Sequence, residues 1–131
     1  MVLIIGGSRQ NKLQYVLQKT GCRDSSVVED FESAKDFKNV RVLCRLHYAI
    51  REALNTGLDP FLEINEIISE NPDIVIICDE VGCGVVPVNP DERLWRETVG
   101  RVCCYLSGKA DRVERIFCGI PMVLKGAGEW N

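Results

Sequence analysis

The sequence has little of what most simple function classes require. It holds one histidine, His47, among 131 residues, and none of its seven cysteines forms a C-x-x-C pair, so the spacing of a zinc or dithiol redox site is missing. No long apolar run exists near the start. Met1 to Ile5 ends at Gly6-Gly7, too short for a signal peptide or membrane span, and the chain is expected to reside in the cytoplasm without membrane contact. Sixteen basic against nineteen acidic residues give a formal charge of −3, and no stretch concentrates Lys and Arg, which argues against a nucleic-acid partner. Internal repeats, low-complexity tracts and Gly/Ser/Pro-rich linkers are also missing. The cysteines (Cys22, Cys44, Cys78, Cys83, Cys103, Cys104, Cys118) are odd in number and scattered, and read as reduced thiols, mostly in core or strand positions.

What is there is 46% apolar composition, enough for one core and too little for two, so residues 1–131 are expected to form one domain. Short apolar runs alternate with longer helical patterns, which predicts a parallel sheet covered by helices. The expected elements begin with a strand at Val2 to Ile5, a helix from Lys12 to about Lys19 closed by Gly21, and a strand within Ser26 to Asp30. A long helix is predicted from Lys38 to Thr56, because Val40, Leu43, Leu46, Ile50 and Leu54 recur at helical spacing before Gly57. A second is predicted to start at Asp59-Pro60, bury Leu62, Ile64, Ile67 and Ile68, and stop near Asn71-Pro72. Ile74 to Cys78 reads as a central strand buried on both faces, and Val81 to Val88 as a loop at its carboxyl end. Asn89-Pro90 opens a further helix that turns Leu94, Trp95, Val99, Val102 and Leu106 to the core and ends at Gly108. Arg115 to Cys118 and Met122 to Leu124 are the last expected strands, and Gly126 to Asn131 is expected to be loose.

Two constellations carry chemistry. Gly6-Gly7-Ser8-Arg9-Gln10-Asn11-Lys12-Leu13, between a strand and a helix, is nearly the G-x-x-x-x-G-K-[ST] phosphate loop. In such a loop backbone N–H groups and the helix N-terminus surround phosphate oxygens while the lysine lies against the outer phosphates. Asn11 replaces the second glycine and tolerates positive φ, but adds bulk. Leu13 replaces the hydroxyl that would reach Mg²⁺, so catalysis is more affected than binding. The competing reading is a tight Gly-Gly turn with a solvated lysine. The second constellation is the apolar run Ile74 to Cys78 ending in Asp79-Glu80, the arrangement of an acidic Mg²⁺ site beside a phosphate loop or of two carboxylates capping a loop. Lys12 and Glu80 are thus the catalytic candidates, and Asp79 and Glu80 the metal candidates. His47 reads as a core histidine satisfied by a hydrogen bond, since it has no ligand-spaced partner.

The segment Asp79-Glu80-Val81-Gly82-Cys83-Gly84-Val85-Val86-Pro87, with Arg93, Arg96 and Val99-Gly100-Arg101-Val102, resembles the adenosylcobinamide kinase/adenosylcobinamide-phosphate guanylyltransferase family of cobalamin biosynthesis. There an E-V-G-x-G-[IV]-V-P loop precedes an arginine-bearing helix and a G-R-[VL]-N-Q element. The similarity runs from Pro72 through Cys118-Gly119-Ile120-Pro121-Met122-Val123-Leu124-Lys125, and Gly6, Gly7, Arg9 and Lys12 match the family's opening G-G-x-R-S-G-K-S. The resemblance implies a P-loop NTPase-like α/β fold, GTP or ATP with Mg²⁺, adenosylcobinamide as corrinoid acceptor, and a homo-oligomer. Under it, Gly6 to Lys12 would hold phosphates, and Glu80, Gly82, Gly84 and Pro87 would form the neighbouring loop. The chain is shorter than the family's usual length and lacks the middle segment bearing the guanylylated histidine. Cys103-Cys104 stand where the family has Asn-Gln. The expected function is therefore a nucleotide-binding member with reduced or lost catalysis and no guanylyl-enzyme intermediate. An active corrinoid-directed kinase/nucleotidyltransferase and a non-catalytic oligomeric scaffold are the alternatives.

Overall fold

The computed structural model describes all residues except Phe37, Cys83, Ala127, Glu129 and Asn131. In chain order the elements are β1 (Val2–Gly6), α1 (Lys12–Thr20), a 3₁₀ turn (Asp24–Ser26), β2 (Val27–Val28), α2 (Phe31–Asp36), β3 (Val42–Leu43), α3 (Leu46–Asn55), α4 (Pro60–Glu70), β4 (Val75–Asp79), α5 (Pro90–Lys109), β5 (Arg112–Phe117) and β6 (Ile120–Lys125). They form one six-stranded sheet in the order β2-β3-β4-β1-β5-β6. All neighbours pair in parallel except β5 and β6, which form an antiparallel hairpin. Helices flank this mostly parallel sheet, in keeping with a P-loop NTPase-like α/β fold.

The pleat sends alternate residues to opposite faces. Leu3, Leu43, Ile76, Cys78 and Val113 pack under Phe31 and Ala34 of α2, Leu46 and Ile50 of α3, Ile64 and Ile67 of α4, and Val99, Val102 and Leu106 of α5. Ile4, Val42, Val75, Ile77 and Ile116 form a thinner layer on the other side with Val16, Leu13 and Tyr15 of α1 and with Trp130. Side chains such as Leu3, Ile50 and Leu106 are fully buried, each contributing about 1.5–3 kcal/mol relative to exposure.

Several helix boundaries follow from local chemistry. Asp59 and Asn89 accept hydrogen bonds from the first-turn amides of α4 and α5, with Pro60 and Pro90 at the first helical position of each. Gly21, at φ 67°, closes α1 in the left-handed region. At Gly6 a Cβ would fall 2.5 Å from the carbonyl oxygen of Ile116, so only glycine lets β1 run this close to β5.

The structure corrects the expected helix from Lys38 to Thr56. Val42 and Leu43 are strand β3, paired with Val75 and Ile76, and the helix begins only at Leu46. Spacing alone favours a continuous helix, but Val42 and Leu43 find their partners in β4, the Val75 amide donates to the Arg41 carbonyl, and sheet pairing prevails over the weak helical periodicity. α2 was not expected. It is six residues long, opened by Asp30 accepting from the Ser33 amide and hydroxyl, and buries only Phe31 and Ala34, too few to produce a period. Leu62 (68% exposed) and Leu94 (53% exposed) point to solvent rather than to the core, and Gly108 lies inside α5, which runs on to Lys109. Cys44 and Cys78 are buried and Cys22 and Cys103 half-buried, whereas Cys104 and Cys118 are exposed; Cys83 lies outside the described residues. The expected loose tail is anchored where it is described. Arg112 donates to the Gly128 carbonyl at 2.7 Å, and Trp130 donates its indole N–H to Glu114. No described helix is long and apolar enough to cross a membrane.

Candidate functional site

The carboxyl ends of β1, β3 and β4 meet the N-termini of α1 and α3 around a cavity of about 450 Å³. Ligand crevices of open α/β sheets form at this edge, because successive crossovers leave strand ends uncovered there. Ser8, Arg9, Gln10, Asn11, Lys12 and Leu13 line it from the loop, Arg45, His47 and Tyr48 from the start of α3, and Asp79 from the end of β4.

The loop is bent by two residues in the left-handed region, Arg9 (φ 59°) and Asn11 (φ 64°), and the Asn11 carbonyl starts α1 by accepting from the Tyr15 amide. Asparagine thus takes the conformation that a second glycine would supply. Gln10 ties the loop to the β5–β6 turn. Its side-chain oxygen accepts from the Cys118 amide at 2.5 Å, and its carbonyl accepts from the Gly119 amide at 3.2 Å. Gly6 accepts from the Glu80 amide at 2.9 Å, and Gly7 presents its carbonyl to Lys12. Leu13 is half-buried against the α1-side core and supplies no oxygen.

Lys12 is not a solvated surface lysine. It is 6% exposed, and its ammonium donates to the Gly7 carbonyl at 2.5 Å and pairs with Asp79 Oδ1 at 2.7 Å. A charge this far from water requires such partners. The second Asp79 oxygen lies 3.4 Å from His47 Nε2, and the Asp79 amide donates to His47 Nδ1 at 3.2 Å. Nδ1 is therefore the unprotonated nitrogen, and the proton of the neutral ring sits on Nε2, facing the carboxylate. Burial lowers the His47 pKa from its ordinary value of 6.5; Asp79 pulls it upward, and Lys12 adds to the lowering. The histidine is braced from behind. Trp95 of α5 donates its indole N–H to the His47 carbonyl at 2.7 Å, and Arg51 lies 3.7 Å over the Trp95 ring while gripping both oxygens of Glu92.

The expected site residues are only partly brought together. The structure places Ser8 to Lys12, Leu13 and Asp79 on one cavity, with Gly6 and Gly7 behind it. Glu80 is directed elsewhere, with its carboxylate held by Arg115 Nε at 2.8 Å and Nη2 at 3.0 Å. Gly82 and Pro87 line a separate cavity of about 280 Å³ with Val86, Arg93 and Arg96, and Gly84 stands in the same loop at φ 104°. The loop's Cys83 is outside the described residues. Cys103 packs against Cys78, and its neighbour Cys104 is exposed on α5. His47 is the buried, hydrogen-bonded histidine that the sequence suggested, but it also belongs to the cavity, as do Arg45 and Tyr48. Reading residues 40–44 as helix hid this, since a strand ending at Leu43 places Arg45-Leu46-His47 at the ligand edge of the sheet.

No curated relative matches the chain. A family model described as cobinamide kinase / cobinamide phosphate guanyltransferase matches residues 32–124, which include α3, β4, the loop after it and α5, and begin beyond the phosphate-loop segment. With most of its length covered, the chain belongs to the cobinamide kinase/cobinamide phosphate guanyltransferase family.

Proposed function

We propose that the protein binds GTP or ATP on the loop from Gly6 to Leu13 and serves corrinoid metabolism as a nucleotide-binding member of its family with weakened phosphoryl transfer. The observation that carries this reading is the convergence of Lys12 and Asp79 in the 450 Å³ cavity at the carboxyl edge of the sheet. An entering phosphate group would replace Asp79 as the partner of the Lys12 ammonium, while the amides at the start of α1 face the remaining oxygens. Asp79, freed from Lys12, is then the carboxylate available to a Mg²⁺ ion arriving with the nucleotide. Mg²⁺ is commonly held by one or two carboxylates together with phosphate oxygens and water, and it would neutralise phosphate charge here. Glu80 is committed to Arg115 and is not free to act as a second carboxylate. Together with the apolar Leu13, this supports binding over efficient transfer to a hydroxyl of adenosylcobinamide.

Calorimetric titration with GTP and ATP, with and without Mg²⁺, tests the reading. Lys12→Ala is expected to weaken binding about a hundredfold, on the scale of a lost charge-assisted contact to phosphate. Equal binding by parent and variant would remove Lys12 from the site and the proposal with it.

A second reading retains guanylyl transfer with His47 as acceptor, and the observation favouring it is the place of His47 beside Lys12 and Asp79. Both ring nitrogens are engaged by Asp79, so Nε2 would first have to pass its proton to the carboxylate. Acid-labile ³²P retained on denatured protein after incubation with [α-³²P]GTP would establish this route. We expect none.

Self-association belongs to the same proposal. β6 is an edge strand exposed along its whole length, and Phe117, Ile120 and Met122 form an apolar strip on one face of the hairpin. Light scattering of Met122→Lys against the parent checks whether this strip joins copies of the chain.

A further inference from the structure

Five described residues other than glycine have positive φ: Arg9, Asn11, Asn39, Arg45 and Cys118. Asn39 and Cys118 sit in turns between neighbouring elements, where such a backbone makes the reversal. The remaining three all line the cavity that holds Lys12. Asn11 belongs to a residue type that visits this region readily, but an arginine there costs about 1–2 kcal/mol. Such strain persists only where the surroundings impose it, and it gathers at ligand sites.

At Arg45 the imposing contacts are visible. The Cys44 amide is tied to Val28 at 2.8 Å, Leu46 is fully buried at the start of α3, and Arg45 (φ 56°, ψ 47°) makes the turn from strand to helix between them. No side-chain cap relieves the helix start. The guanidinium itself is weakly held. Its ion-pair partner is Glu29, 3.6 Å from Nε, with both side chains more than half exposed, a pair worth at most about 1 kcal/mol. Lys12, in contrast, is fixed at the base of the cavity by Gly7 and Asp79. Among the cations lining the cavity, Lys12 is fixed at the floor, and Arg45 stands loosely paired at the rim.

Resting on the nucleotide-binding reading above, we propose that Arg45 is a phosphate-binding residue whose guanidinium leaves Glu29 and grips the outer phosphate oxygens of a nucleoside triphosphate from the side opposite the loop. Glu29 holds the arginine in readiness and competes with the ligand for it. Arginine suits the task because its planar fork takes two oxygens at once, and its charge is insensitive to the cavity's surroundings.

The test is calorimetric titration of GTP, GDP and GMP into the parent, Arg45→Asn, Arg45→Lys, Glu29→Gln and Lys12→Ala. Asparagine is chosen because it accepts the left-handed backbone, and equal melting temperatures confirm that the fold is intact. Arg45→Asn is expected to weaken GTP about tenfold while changing GMP less than about twofold, with Arg45→Lys in between, as for loss of a bidentate charge-assisted contact. Glu29→Gln is expected to tighten GTP about twofold by removing the competitor. Unchanged GTP affinity in a folded Arg45→Asn protein, or an equal loss for GTP and GMP, overturns the assignment. If the parent binds in a Lys12-dependent manner and the Arg45 variants match it, only this inference falls. If the parent binds no nucleotide, the functional reading falls and takes the inference with it.

Discussion

Asp79 and Glu80 are adjacent carboxylates at the end of one strand, yet the pleat carries them to opposite sides of the sheet and into different roles. Asp79 follows Val75 and Ile77 toward the α1 side, where Lys12 and His47 enclose it. Glu80 leaves on the other side and is held in a two-point pair by Arg115, the residue that faces Ile5 across β1 and β5. The side bearing Asp79 is covered by α1 and Trp130, and the opposite side by α2 through α5. The thick face supplies most of the core, while the thin face leaves room for a cavity at its edge. Stability and chemistry are thus unevenly distributed across the sheet.

The largest effect expected from this division is on the thick face. Leu106→Ala should cost about 2–5 kcal/mol in urea denaturation, the range for a fully buried leucine. Val16→Ala, which removes two methylene equivalents from the thin face, should cost about 2 kcal/mol or less. Comparable losses would show that the two layers share the load more evenly than their packing suggests.

Next come the two carboxylates. Asp79→Asn leaves the Lys12 ammonium without an anionic partner, and should cost about 2 kcal/mol of stability once the partial exposure of Asp79 is allowed for. Glu80→Gln removes a partly exposed pair worth about 1 kcal/mol or less, and should leave nucleotide affinity within about twofold of the parent. A Glu80 variant that lost binding would return this residue to the site.

His47 provides a pH signature of the cavity. Its folded pKa lies below the ordinary 6.5, so as pH falls past 6.5 the unfolded chain takes up a proton that the folded chain refuses. The stability associated with neutral His47 is complete above that value and is lost as pH drops toward the folded pKa. Thermal melts between neutral and mildly acidic pH should show this loss for the parent and a shallower one for His47→Gln. The smallest effect is expected for Leu13→Ser, which restores a hydroxyl at the start of α1 and should strengthen Mg²⁺-dependent nucleotide binding about threefold, the gain of one weak ligand.

Much of this was legible in the chain. β1, α1 with its Gly21 stop, both Asp/Asn-Pro helix starts and β4 depend on local signals, namely apolar runs and capping residues. β3 was not legible, since two residues of strand are recognisable only once β4 and β2 lie beside them. With β3 hidden, Arg45, His47 and Tyr48 could not be placed on the cavity. The fate of Glu80 was equally out of reach, because its partner Arg115 lies 35 residues away.

By itself the sequence determined the alternation of strands and helices, the loop with Lys12 and the acidic end of β4, because each rests on residues close together in the chain. Only the tertiary structure decided which of two neighbouring carboxylates meets Lys12, which histidine contact forms and which arginine stands at the rim. Those outcomes depend on sheet order and on the side of the pleat to which each residue is sent, and no local pattern encodes either.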